Sequence, residues 1–266
     1  MMNLLGEIRL FIRFHRRLGY RAGFKWYLIY QANRRRMLPW RFITIRPRTL
    51  KHPIAVRIQN SSDVDVFDQI FVRGETDYIN QIRTINSVVD LGANVGYFAA
   101  QILSRFPRAT VTAVEPDPEN FQICRRNLAP YGARALVVEG AAWHSQTELV
   151  ISRGTFGDGR EWATEVQEAA PGEKSDVMGW DMPTILTRSA IDCIDLLKID
   201  IEGSERDLFR RNTEDWLKRT RNISIEIHGE ECGQSVMSAL RTFEYTILNS
   251  GEYTLVLNLR TRSVTN

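Results

Sequence analysis

The sequence predicts an α/β fold, doubly wound about a mostly parallel seven-stranded sheet, with a helical extension before it. Three observations carry that prediction. From Ser87 onward, short apolar runs alternate with helical patterns, which is the signature of βαβ units. Val88, Val89 and Leu91 form an apolar run of the kind a parallel strand covered on both faces requires. Finally, 266 residues with 43% hydrophobic and 25% charged side chains suit one well-packed domain with additions, not two full domains.

Leu4, Leu5, Ile8, Phe11, Ile12 and Leu18 recur at helical spacing, with Glu7, Arg9, Arg13, Arg16 and Arg17 mostly between them. Residues 3–17 should therefore form an amphipathic helix, punctuated by Gly19 and Gly23. A second helix is expected over 24–36, ending in Arg34, Arg35 and Arg36 ahead of Pro39. The aromatic and aliphatic stripe favours packing on the neighbouring domain, although a basic amphipathic helix can also lie on an anionic membrane. Ile54, Val56 and Ile58 alternate as a strand, and Ser61, Ser62 and Asp63 supply capping chemistry for a helix over 62–73 that Gly74 ends.

The alternating region reads as strand 87–91, helix 95–105, strand 110–115, helix 118–128 and strand 134–139. Residues 152–176 break the pattern, with only Phe156, Trp162, Ala163 and Val166 to bury, and are expected as a loop or helical insertion forming part of an acceptor lid. Order resumes at 184–187 and continues through strand 194–200, helix 204–211, strand 222–228 and helix 233–242. Strands near 244–249 and 253–259 close the chain, with a turn at Asn249, Ser250 and Gly251.

Charge is unevenly spread. Residues 1–50 hold twelve Lys or Arg against Glu7 alone, a net +11, while the other 216 residues hold 23 bases and 31 acids, a net −8. The three cysteines, Cys124, Cys193 and Cys232, show no C-x-x-C spacing, which argues for reduced thiols in the cytoplasm and against a disulfide framework or zinc site. No window supplies the roughly 18–20 apolar residues that span a bilayer, and arginines interrupt any signal-peptide core. A cytoplasmic location is expected, with peripheral contact at the inner membrane surface through residues 1–40 as an alternative.

Asp90 ends the strand that leads into Gly92, Ala93, Asn94, Val95, Gly96 and Tyr97. A dinucleotide fingerprint would need glycine where Asn94 and Tyr97 stand, so the loop suits a nucleoside without a pyrophosphate. Asp90 would repel phosphate and attract a cation. S-adenosylmethionine, with its cationic tail and sulfonium, meets that description. Glu115 ends the next strand 23 residues after Gly92, the register in which an acid accepts hydrogen bonds from ribose, and Pro116 follows it. Ala141 and Ala142 leave a flat slot for adenine.

In the strand around 194–200, alternation puts Lys198, Asp200 and Glu202 on one face and at its exit; Glu226 and His228 do the same on the next strand. Charges in central strands are costly to bury without partners, which points to chemistry or ligand contact. His15 and His52 lie outside the sheet, and His144 follows the adenine slot closely.

The segments VVDLGANVGYFA, AVEPDPENF, VVEGAAW, LLKIDIEGSE and ISIEIH, in this order and spacing, resemble the FkbM family of class I, Rossmann-like S-adenosylmethionine-dependent methyltransferases. The resemblance covers about 54–259 and extends upstream to VRIQNSSDVDVFDQIFVRGETDY. It implies a methyltransferase domain over 51–266, with a leading strand and helix in 51–80 and a core over 84–260, after a basic extension over 1–50. It also implies cofactor contacts from Asp90, Gly92, Asn94, Gly96, Glu115 and Ala141, which Ala93, Tyr97, Pro116, Ala142 and Asp200 should complete, while Asp200, Glu202, Glu226 and His228 surround the acceptor. The implied acceptor is a hydroxyl on a sugar, a glycan or a polyketide. Neither the basic extension nor the 152–176 stretch maps onto the family pattern.

A hydroxyl is a poor nucleophile, so Asp200 or His228 is expected to accept its proton, with Lys198 orienting the carboxylate. Asp200 and Glu226 could instead hold a divalent metal, a less favoured route because two carboxylates and a histidine make an incomplete site. A competing class, a nucleic-acid methyltransferase or binding protein, would use the basic arm as an electrostatic footprint. The acidic body counts against nucleic acid. Oligomeric state is not written in the pattern.

Overall fold

The computed structural model describes residues 4–34, 41–59, 61–153 and 164–262. Its principal sheet has seven strands: β1 (Ser87–Leu91), β2 (Thr110–Glu115), β3 (Ala135–Glu139), β4 (Leu196–Ile199), β5 (Ile223–Glu226), β6 (Phe243–Ser250) and β7 (Tyr253–Thr261). They are ordered β6-β7-β5-β4-β1-β2-β3. Only β7 runs against its neighbours. The expected doubly wound, mostly parallel sheet is the observed one. The order reverses between β1 and β4, and open α/β sheets hold their ligands in the crevice at the carboxyl ends of such strands.

The apolar runs are explained by burial on both faces. Val88 joins a cluster with the helices Tyr97–Arg105 and Pro118–Leu128, whereas Val89 and Leu91 join another with Met182–Ser189 and Glu230–Leu240.

The extension folds back on itself as α1 (Leu4–Leu18) and α2 (Tyr20–Arg34). Of the two glycines expected to punctuate it, only Gly19, at φ +87°, breaks the helix. Gly23 lies within α2, where a Cβ would come within 2.8 Å of the His15 backbone, so it allows the two helices to touch. Phe14, Leu18, Trp26 and Ile29 are buried in one cluster with Phe67, Phe71 and Tyr97, and the Trp26 and Phe67 rings lie 3.9 Å apart. Packing on the neighbouring domain is the arrangement found. Arg35, Arg36 and Pro39 lie outside the described residues.

Three local expectations are corrected. A strand that the sequence did not suggest, Phe42–Ile45, pairs antiparallel with Ile54–Arg57. All four residues of that second strand are buried, because the Arg57 guanidinium is taken inside by Asp63 at 2.7 Å. The helix expected over 62–73 is an α-helix, Asp63–Phe67, that continues as a π-helix, Asp68–Arg73, before Gly74.

Within the stretch expected as a loop over 152–176, residues 152–153 and 164–168 belong instead to the strands of a second sheet. Ala141–Ala142, Val177–Trp180, Thr147–Arg153 and Thr164–Glu168 pair in that order. Leu149 and Val177 give this sheet its own small core with Ala141 and Trp143. Residues 154–163, with Phe156, Trp162 and Ala163 of the expected lid, lie outside the described residues. Among the described residues, no helix is long and apolar enough to cross a membrane.

Candidate active site

The turn after β1 is built by backbone contacts to its neighbours. Gly92 and Ala93 both donate their amides to Val114 O, at 3.0 Å. Gly92 has φ +74°, and a Cβ there would lie 1.8 Å from Asp200 O, so β1 and β4 can end side by side only with glycine at this point. Asn94 is left-handed at φ +49° and donates its amide to Glu115 Oε2 at 2.7 Å. Glu115 Oε1 accepts from Asp117 N at 2.9 Å, and burial pushes the carboxyl up to about 7. Glu115 therefore clasps the turn from the end of β2.

A cavity of about 430 Å³ opens where β1, β4 and β5 end. One side is Gly92, Ala93, Asn94, Tyr97, Glu115, Pro116, Ala141 and Ala142; the other is Lys198, Asp200, Glu202, Glu226 and His228. Two expected cofactor contacts are not in its lining. Asp90 is wholly buried behind the turn, with Lys198 Nζ at 3.4 Å from Oδ1, and burial raises its carboxyl to about 6. Gly96 faces the helix Pro118–Leu128, where a Cβ would meet Cys124 Sγ at 2.9 Å, so it serves packing. Tyr97 lines the cavity with its ring only, since its hydroxyl donates to Ala55 O at 3.0 Å.

Six carboxylates line the cavity, from Glu75, Glu115, Asp200, Glu202, Glu226 and Glu252, against the two bases Lys198 and His228. That balance favours a cationic guest.

On the β4 side, Lys198 Nζ lies 3.2 Å from Asp200 Oδ2 and donates to Gly92 O at 3.3 Å. Burial works against both charges. For Lys198, Asp200 and Asp90 outweigh it and raise the ammonium, and for Asp200 the Lys198 and His228 cations and the Tyr253 hydroxyl outweigh it and lower the carboxyl. Tyr253, at the start of β7, donates to Asp200 Oδ2 at 2.9 Å.

His228 sits in a ring of carboxylates. Its Nδ1 is 2.9 Å from Oε1 of the wholly buried Glu205, and its Nε2 is 3.5 Å from Glu226 and 3.6 Å from Glu202. Burial disfavours the imidazolium, yet the hydrogen bonds to Glu205 and Glu226 push its pKa up to about 11. These carboxylates favour the imidazolium, the form of the ring without a lone pair to take a proton from an acceptor. Glu202 behaves oppositely: burial, reinforced by Asp200, pushes its carboxyl up to about 7. It leaves β4 in the left-handed region at φ +50°, a conformation a non-glycine residue holds only when its surroundings enforce it. Asp200, Glu226 and His228 each offer one possible metal-ligand atom within 4.8 Å of the others.

Tyr253 and Glu205 escaped the sequence reading. Tyr253 reaches Asp200 from 53 positions away, which no local pattern announces. Glu205 lies in the LLKIDIEGSE run, but only the fold turns it back toward His228.

Comparison with known proteins follows the same lines. Residues 90–255 match the sequence profile of the methyltransferase FkbM domain. Methyltransferase sdnD of Sordaria araneosa is 26% identical over 198 residues, covering 60% of this chain and 73% of that protein. The 2-O-methyltransferase NoeI of Sinorhizobium fredii (strain NBRC 101917 / NGR234) is 28% identical over 176 residues, 59% of this chain and 72% of that one. Among solved structures, a precorrin-6y C5,15-methyltransferase from Geobacter metallireducens GS-15 superposes with a TM-score of 0.43 at 10% identity, over 72% of this chain and 89% of that one. A likeness at that level adds nothing to what the strand order already establishes.

Proposed function

Because the chain belongs to the methyltransferase FkbM family and is thereby an S-adenosylmethionine-dependent methyltransferase, we propose that it methylates a hydroxyl of a sugar, a glycan or a polyketide-type natural product. The observation that carries this reading is the cavity itself, where six carboxylates and two bases meet at the ends of β1, β4 and β5. Its volume is within the roughly 300–1,000 Å³ of small-ligand sites. S-adenosylmethionine supplies an electrophilic methyl group on a cationic sulfur. In this reading Gly92, Ala93 and Asn94 border the nucleoside, Glu115 accepts from the ribose hydroxyls with the lone pairs its two amide partners leave free, and Ala141 and Ala142 flank the adenine. Support for oxygen as acceptor comes from the similarity to NoeI, a 2-O-methyltransferase.

Glu202 is the general base of this reading. A carboxylate whose pKa is about 7 is half ionised at neutral pH and is matched to taking a proton from a hydroxyl in the transition state. His228, held as imidazolium by Glu205, donates toward Glu226 and Glu202 and fixes their orientation. Asp200, fixed by Lys198 and Tyr253, keeps its charge facing the cavity. Methyl uptake from labelled S-adenosylmethionine, screened over sugar and polyketide hydroxyls, tests the acceptor class. Uptake confined to nitrogen or carbon acceptors would overturn it.

A second reading is favoured by one observation, the convergence of Asp200, Glu226 and His228 within 4.8 Å. A divalent cation held there would lower the acceptor's pKa directly. The buried Glu205 on Nδ1 would then orient the ring as carboxylates behind metal-binding histidines do. Turnover abolished by a chelator and restored by magnesium or manganese would establish this route, and chelator-insensitive turnover would eliminate it.

A further inference from the structure

Among the described residues, eleven large apolar side chains are exposed, and six of them lie on the hairpin of α1 and α2: Leu5, Ile8, Ile12, Tyr20, Phe24 and Leu28. The first three repeat at i, i+3 and i+7, and the second three at i, i+4 and i+8, so each set is a stripe along its helix. Phe11, His15, Gly23 and Tyr27 make the seam between the helices, and Phe14, Leu18, Trp26 and Ile29 point into the core. The two stripes therefore flank the seam on the side away from the core. The domain's own packing does not use them.

Exposed Arg9, Arg13, Arg16, Arg21 and Lys25 border the stripes. The hairpin's single acid, Glu7, is turned inward and accepts from Tyr27 and Gln31. An apolar strip edged by cations on one face is the pattern of a surface that meets acyl chains and phosphate together.

We propose that the outer face of the α1–α2 hairpin docks on an anionic lipid bilayer, with its apolar stripes in the headgroup region and its arginines and lysine on lipid phosphates. A second copy of the chain is a poor occupant, since it would set five bases against five. Nucleic acid would satisfy the bases but leave six apolar side chains without a partner. The π-helix Asp68–Arg73 and the helix before it wall the cavity with Val66, Gln69 and Ile70 and also carry α1, through Arg17 Nε to Phe71 O and burial of Phe67 and Phe71. A docked hairpin thus holds that wall one helix away from the bilayer, which suits an acceptor presented at a membrane.

Flotation of the full chain with vesicles tests the proposal without any cofactor or turnover, so its failure would leave the methyltransferase assignment intact. Vesicles of phosphatidylcholine with a third phosphatidylglycerol should bind the protein, phosphatidylcholine alone should not, and binding should weaken as salt is raised. The double variant Ile12→Glu and Phe24→Glu should lose at least tenfold in partition. Arg9→Glu with Arg13→Glu should lose more than the roughly fivefold that removing one surface charge costs. Because these side chains are exposed, thermal midpoint and S-adenosylhomocysteine affinity should stay unchanged in both variants. Absence of binding to the anionic vesicles at low salt, undiminished binding by either double variant, or a wild-type dimer that the Ile12→Glu and Phe24→Glu variant dissolves would overturn the proposal.

Discussion

Glu202 differs from the other carboxylates around the cavity in its left-handed backbone, and it shares with Glu115, on the opposite side, a carboxyl raised to about 7. If it is the base, kcat should rise with pH through about 7 and level off above it, because only the ionised form accepts a proton. Glu202→Gln should remove that limb and lower kcat by a factor of about 10²–10⁴ with S-adenosylhomocysteine affinity kept. The same shift has a consequence for stability. A carboxyl raised in the folded state contributes stability that is complete below its ordinary value of about 4.3 and is lost as pH rises through about 7. Thermal melts should therefore show Glu202→Gln gaining on the wild type between pH 5 and pH 8. Tyr253→Phe removes a hydrogen bond to a charged carboxylate, and Asp200 should respond with a higher pKa and turnover lower by about tenfold. Asp200, Glu226 and His228 were legible in the sequence because alternation along two parallel strands put them on one face. The proton inventory was not, since the charge on His228 depends on Glu205, which only the fold brings to 2.9 Å.

At the scale of elements, agreement follows the strength of the local signal. Strands 87–91 and 110–115 are found where the apolar runs, bounded by polar and turn residues, located them. The hairpin of Thr147–Arg153 and Thr164–Glu168 was invisible, because it buries few side chains and gains its order from pairing with Val177–Trp180. Phe42–Ile45 leaves no local signal for a related reason: its partner across the turn alternates in sequence, yet all of it is buried. That burial rests chiefly on the ion pair between Arg57 and the wholly buried Asp63. Asp63→Ala would leave the Arg57 guanidinium inside without its main counter-ion, and a loss of about 3–5 kcal/mol in a urea or thermal melt is expected. A loss under ~1 kcal/mol would mean that Asn120 and Glu119 hold the arginine unaided.

For the whole molecule, the doubly wound sheet and the packing of the extension on the body were both legible in the apolar pattern, whereas the continuity of their cores was not. One core cluster runs from Phe14 and Trp26 through Phe67 to Tyr97, whose ring borders the cavity. Trp26→Ala, at a position only 1% exposed, should cost about 3–5 kcal/mol in a single cooperative melt of the full chain. Two separate transitions would show the extension to be an independent unit. The acidic cavity at the switch point of the sheet is the place assigned to the methyl donor. Calorimetric titration of the full chain tests it most directly: S-adenosylmethionine and S-adenosylhomocysteine should each bind at one site, with affinity reduced at least tenfold by Glu115→Ala. An absence of binding by both ligands, or binding that Glu115→Ala leaves untouched, would contradict it.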